Sequence, residues 1–137
     1  MVELALVLPV VLLLLLGMLD FGRAYVFGVA IQQGAREAAR YGAGAAYYPS
    51  TITDTAIRQR LIDASYPALQ GCSATASTCT DGSGVTWAIT ISPVSKTSGA
   101  QLGVTAQGSM PLLTGFLTGM VGISQISLQG AAMMVII

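Results

Sequence analysis

The chain has no histidine among its 137 residues. That removes the commonest general base, the commonest metal ligand and the hub of a Ser-His triad together. A reactive cluster would have to be assembled from Asp54, Asp63, Asp81, Arg58 or Lys96. The first four read as helix-pair, cap or turn residues, so the sequence predicts no enzyme, no cofactor and no metal centre. Cys72 and Cys79 lie in a Ser/Thr/Gly-rich stretch with a spacing that fits neither a zinc knuckle nor a redox Cys-x-x-Cys. Two readings stand: a short surface disulfide, or a pair of buried thiols. The disulfide would close a loop of eight residues, contribute about 2.5 kcal/mol in the chain-entropy model and imply an oxidising space outside the cytoplasm.

The remaining residue with chemical leverage is Glu3, an acid placed just before a long apolar run. Drawn to a membrane centre it would cost roughly 2.5–3.5 kcal/mol, and less at the interface. It reads either as an interfacial carboxylate favoured by a helix N-terminus, or as a carboxylate that pairs with a neighbouring subunit's N-terminal amine.

These residues are carried by a chain of unusual composition, 53% hydrophobic and only 9% charged. Six basic and six acidic residues cancel, so no net field draws the chain to nucleic acid or anionic lipid. From Leu4 to Leu19 no charge occurs, a length of ~24 Å as a helix against a ~30 Å hydrocarbon core. Asp20 and Arg23 are spaced to neutralise each other, after which the apolar pattern resumes to Ile31 and reaches ~42 Å. Beyond it Gln32, Arg36 and Arg40 form a polar stripe, and Ala30, Gly34, Ala38 and Gly42 a stripe of small residues. One helix is predicted from the N-terminus to about Tyr41, with a kink or lost hydrogen bonds near residues 5–9 caused by Pro9. GAGAAYYPS then supplies the stop.

The remainder reads as a small head. Thr53 caps a short helix with Ile57, Leu61 and Ala64 on one side, and Pro67 closes it. Residues 70–84 read as an exposed loop. Val85 to Ile91 and Leu102 to Ala106 alternate as an antiparallel hairpin, with Trp87 on the apolar face. Pro111 is expected to open a short apolar helix, and the final SQISLQGAAMMVII a third strand whose last residues are covered on each side. The fold class is therefore α+β: residues 1–43 form a hydrophobic helix, and residues 44–137 a head with short helices and an antiparallel sheet of about three strands. Asparagine is absent, which excludes N-linked glycosylation.

A head of this size cannot wrap every side of a ~40-residue helix as well as its own strands. A dozen exposed Leu, Val or Ile side chains, each stabilised by roughly 1.5–3 kcal/mol when buried, require another solvent: lipid, or other copies of the same helix. The small-residue stripe suits close approach of helices. It equally suits seating the helix on its own head.

The segment MVELALVLPVVLLLLLGMLDFGRAY is similar to the N-terminal helix of TadE-like pseudopilins, the tight-adherence branch of the type IV pilin superfamily. The resemblance is specific over residues 1 to about 42 and architectural beyond. It implies a pilin-like layout, a precursor whose basic leader is cut after a glycine by a prepilin peptidase, insertion in the inner membrane, and extraction by assembly machinery into a pilus of identical copies. The family's assembly glutamate, fifth in the mature chain, corresponds to Glu3, which would hold that place only if two residues preceded Met1. Leu4 stands where many relatives carry Phe. The chain is accordingly expected to be a structural subunit of an extracellular, adhesive type IV pilus-like filament, with Glu3, Pro9, Asp20, Arg23, Gly34 and Ala38 serving assembly. The alternative is a membrane-anchored accessory pseudopilin that primes assembly without polymerising. An anchored binding module using Trp87, Tyr47 and Tyr48 is a further reading, weighed against a core role for Trp87 and a packing or membrane-interface role for the tyrosines.

Overall fold

The computed structural model describes residues 2–48, 50–92, 97–112, 122 and 124–137. Helix α1 runs from Val2 to Gly42, continuing through Pro9 without ending. A short 3-10 turn, Ala43–Ala46, follows it. Helix α2, Asp54–Ala64, begins where Thr53 accepts a hydrogen bond from the Ala56 N–H at 3.2 Å, as the cap pattern predicts, and buries Ile57, Leu61 and Ile62.

Four strands rather than three make the sheet: β1 (Thr78–Thr80), β2 (Thr86–Ser92), β3 (Gln101–Pro111) and β4 (Gln125–Val135), antiparallel and in sequence order. The extra strand lies inside the stretch expected to be loop. Its three residues pair with Thr86, Trp87 and Ala88, too short a run to announce itself by alternation. Asp81 makes the β1–β2 turn. Its carboxylate accepts hydrogen bonds from the Ser83 N–H and hydroxyl, the Val85 N–H and, at 2.9 Å, the Trp87 indole N–H. Burial alone would raise the Asp81 pKa. The bonds from Ser83, Trp87 and Val85 outweigh that and hold it below its ordinary value.

Pro111 is the last residue of β3 and not the first of a helix; at the strand's end the N–H that proline lacks is not needed. Residues 113–121, the rest of the expected short helix, fall outside the described residues, as does Lys96. The inner face of the sheet carries Trp87, Ile89, Leu102, Val104, Ala106 and Met110, all buried. It packs in one core with Ile31, Ala35, Ala38 and Ala39 of α1 and with Ile57 and Leu61 of α2. Cys72 and Cys79 are joined as a disulfide, with Cα atoms 5.4 Å apart.

Candidate assembly surface

The helix has two halves with opposite surroundings. Between Leu4 and Leu19 the described leucine, valine and methionine side chains are exposed apart from the half-buried Leu13; Leu4 is 74% and Leu19 62% exposed. From Asp20 onward one face is covered. Asp20, Ala24 and Ala30 are buried, and Ile31 is fully enclosed. On the opposite face Phe21, Tyr25 and Val29 remain exposed, giving way to Gln33, Arg36 and Arg40. The helix is long and apolar enough to cross a membrane. The exposed apolar run ends at Leu19, so Leu4 to Leu19 offers ~24 Å for lipid, shorter than the ~42 Å of apolar pattern read from sequence. The head takes the difference.

Seating depends on missing side chains. A Cβ placed on Gly34 would stand 2.9 Å from the Leu61 carbonyl oxygen and crowd Ser65, whose hydroxyl donates to that same carbonyl at 2.6 Å. A Cβ on Gly130 of β4 would lie 2.7 Å from the Ile31 carbonyl oxygen. Ala38 is fully buried between them in sequence. The small-residue stripe is thus occupied by the molecule's own α2 and sheet, which is one of the two roles its spacing allowed. Arg60 of α2 adds a cation–π contact, 5.2 Å from the Tyr41 ring centroid.

Strand β4 is an edge of the sheet, and α1 closes part of that edge. The Gln32 side chain donates to the Ala131 carbonyl at 2.9 Å and accepts from the Ala131 N–H at 3.3 Å, taking both main-chain groups of one residue. Further on, the Ile137 N–H donates to the Ala43 carbonyl at 2.9 Å. Beyond Ala131 the strand turns outward. Met133 is 74%, Val135 52% and Ile137 66% exposed, whereas Ile136 is buried. The expectation that the strand's last residues are covered on each side therefore fails at Met133 and Val135 and, at 39% exposed, at Met134 as well. Apolar alternation on both faces marks two buried faces, and this chain supplies a cover for one.

The residues singled out for assembly do not form one site. Glu3 is exposed in the first turn of α1 and Pro9 is exposed six residues later. Asp20 is buried and Arg23 half-buried at the point where the bare helix enters the head, and the Arg23 Nη1 makes no hydrogen bond among the described residues. Gly34 and Ala38 lie in the core. Trp87 is fully buried, which makes it a core residue, while Tyr47 and Tyr48 are exposed past the far end of α1, away from the leucine run. Gln32 and the outward residues of β4 were missed. Gly130 carried a readable signal, since an isolated glycine inside a strand often marks close backbone approach.

No curated protein and no solved structure matches the chain. No stretch beyond α1 is matched, but residues 1–40 match the model of the family described as TadE-like protein, so over the bare leucine run and the part of α1 seated on the head the chain is similar to that family.

Proposed function

We propose that this chain is the structural subunit of an extracellular type IV pilus-like filament, held in the inner membrane by α1 until it polymerises through packing of that helix. The observation that carries the reading is the bare half of α1. Large apolar side chains between Leu4 and Leu19 point outward, while the other half of the helix shares one buried core with α2 and the sheet. Lipid can hold such a helix singly, and copies of it can hold one another. Either environment keeps the apolar surface out of water, so neither end state exposes it. The family match over residues 1–40 supports a pilus-related role. Prepilin peptidase and the pilus assembly machinery are the partners this reading requires.

Within it, Glu3 sets axial register by pairing with a neighbouring subunit's N-terminal amine, because a carboxylate left unpaired among apolar helices costs far more than a paired one. Glu3→Ala is expected to leave the protein in the membrane and to lower filament yield; wild-type yield from the variant would remove the register role. The proposal as a whole is tested by shearing cells and fractionating. Recovery of the chain in sheared filaments seen by negative-stain microscopy is the expected result. Recovery from membranes alone, with no filament, would replace it with the accessory, non-polymerising pseudopilin.

A further inference from the structure

The two edges of the sheet differ in length: β1 has 3 residues and β4 has 11. A long, uncharged edge strand is a template on which another chain can add a strand, and β4 contains neither a charge nor a proline. Its main-chain groups alternate in direction, as antiparallel pairing requires. Ile136, just past its end, faces inward, donating to the Ala100 carbonyl and accepting from the Gly99 N–H. Ala131 and Ile137 face outward, where Gln32 and Ala43 bond them. By the same alternation Ser127, Gln129, Met133 and Val135 face outward, and no described residue bonds their main-chain groups along that edge.

The closure at Ala131 is chemically selective. An N–H and a carbonyl side by side need an acceptor and a donor on one side chain. An amide supplies both, whereas a carboxylate only accepts and an ammonium or guanidinium only donates. Gln32 meets the two groups at 3.3 and 2.9 Å, and so divides the open edge into residues 125–129 and 133–135. Close seating of α1 is already provided by Gly34 and Gly130. Anchoring makes the edge a hazard. Strand β4 runs alongside α1 in the same direction, with Ala131 beside Gln32 and Ile137 beside Ala43. Copies held in one membrane by that helix therefore carry their β4 edges at one level.

We propose that Gln32 guards the β4 edge: by occupying Ala131 it keeps copies crowded in a membrane from joining sheet to sheet through β4. The guard acts on single anchored chains, so it holds whether or not the chain polymerises.

The test compares the full chain in detergent with its Gln32→Leu and Gln33→Leu variants, by light scattering and amide hydrogen exchange over a range of protein concentrations. Gln33 is exposed beside Gln32, and no hydrogen bond joins it to β4. Wild type and Gln33→Leu are expected to remain single chains in which the amides of Ser127, Gln129, Met133 and Val135 exchange freely. Gln32→Leu is expected to associate as concentration rises, with those amides slowing about tenfold and the amide of Val104 in the central strand β3 unchanged. Adding Ala131→Pro interrupts the edge at the same place without the glutamine and removes an N–H that β3 does not use. That double variant is expected to return to single chains with Val104 still protected. A Gln32→Leu variant that stays single at every concentration, or associates no more than Gln33→Leu, would overturn the guard. Association that persists in the double variant with Val104 protected would overturn it too.

Discussion

Helix α1 inverts the usual rule along its length. Its head-proximal half buries Ala30, Ala35, Ala38 and Ala39, the smallest apolar side chains, while its distal half exposes Leu, Val and Met. The difference lies in the partner available to each half. Own-head packing brings the helix backbone within contact of Leu61 and Ser65 at Gly34, and of the strand at Gly130, where the missing side chain is the strand's and Ile31 is the helix residue; small residues on one partner or the other permit that approach. Among the described residues the distal half has no partner from the head, and its large side chains are suited to whatever surrounds them from outside. Small residues mark where this helix stays attached, and large ones where its surroundings can be exchanged.

The comparison breaks most easily at Gly34. Leucine there must displace the Leu61 carbonyl and Ser65, and a loss of about 3 kcal/mol in thermal unfolding of the detergent-solubilised chain is expected. A stable head with lost filaments would instead assign the stripe to contacts between subunits. Cys72→Ser should cost about 2.5 kcal/mol in the same assay, and a reductant should reproduce the loss. Asp81→Asn weakens the bonds from Ser83, Val85 and Trp87, and about 2 kcal/mol is expected. The same carboxylate gives a pH dependence. Its folded pKa is depressed, so its stabilisation is fully present above the unfolded value near 4 and disappears as pH falls through the folded value. Unfolding followed from pH 6 downward should show a fall that Asp81→Asn lacks. Smallest of all, Leu12→Ala should change head unfolding by less than about 0.5 kcal/mol, because Leu12 touches solvent and not the head. A larger effect would mean that the two halves are not independent.

Much of this was legible in the residues. The helix end at Gly42, the Thr53 cap, the hairpin of β2 and β3 and the buried Trp87 each follow from a local rule of period, cap or breaker, and local rules survive in sequence. What escaped depends on distance. The bond of Gln32 to Ala131 joins residues 99 apart, and a polar residue at the start of an amphipathic stretch gives no hint of it. The outward turn of Met133 and Val135 was hidden for a related reason: a strand apolar on both faces specifies two covers, and sequence does not say whether both come from the same molecule. Strand β1 was missed because a disulfide-closed loop and three strand residues have the same Ser/Thr composition. Of the candidate assembly residues, spacing located the helix correctly and left open which neighbour each face meets.

The central claim is that the run from Leu4 to Leu19 exchanges lipid for copies of itself. Electron cryo-microscopy of filaments sheared from the cell surface, at a resolution that traces side chains, tests it most directly. The account predicts a core built from that run with the heads outside. A filament whose core excludes residues 4–19, or material that yields the chain only as single membrane-bound molecules, would contradict it.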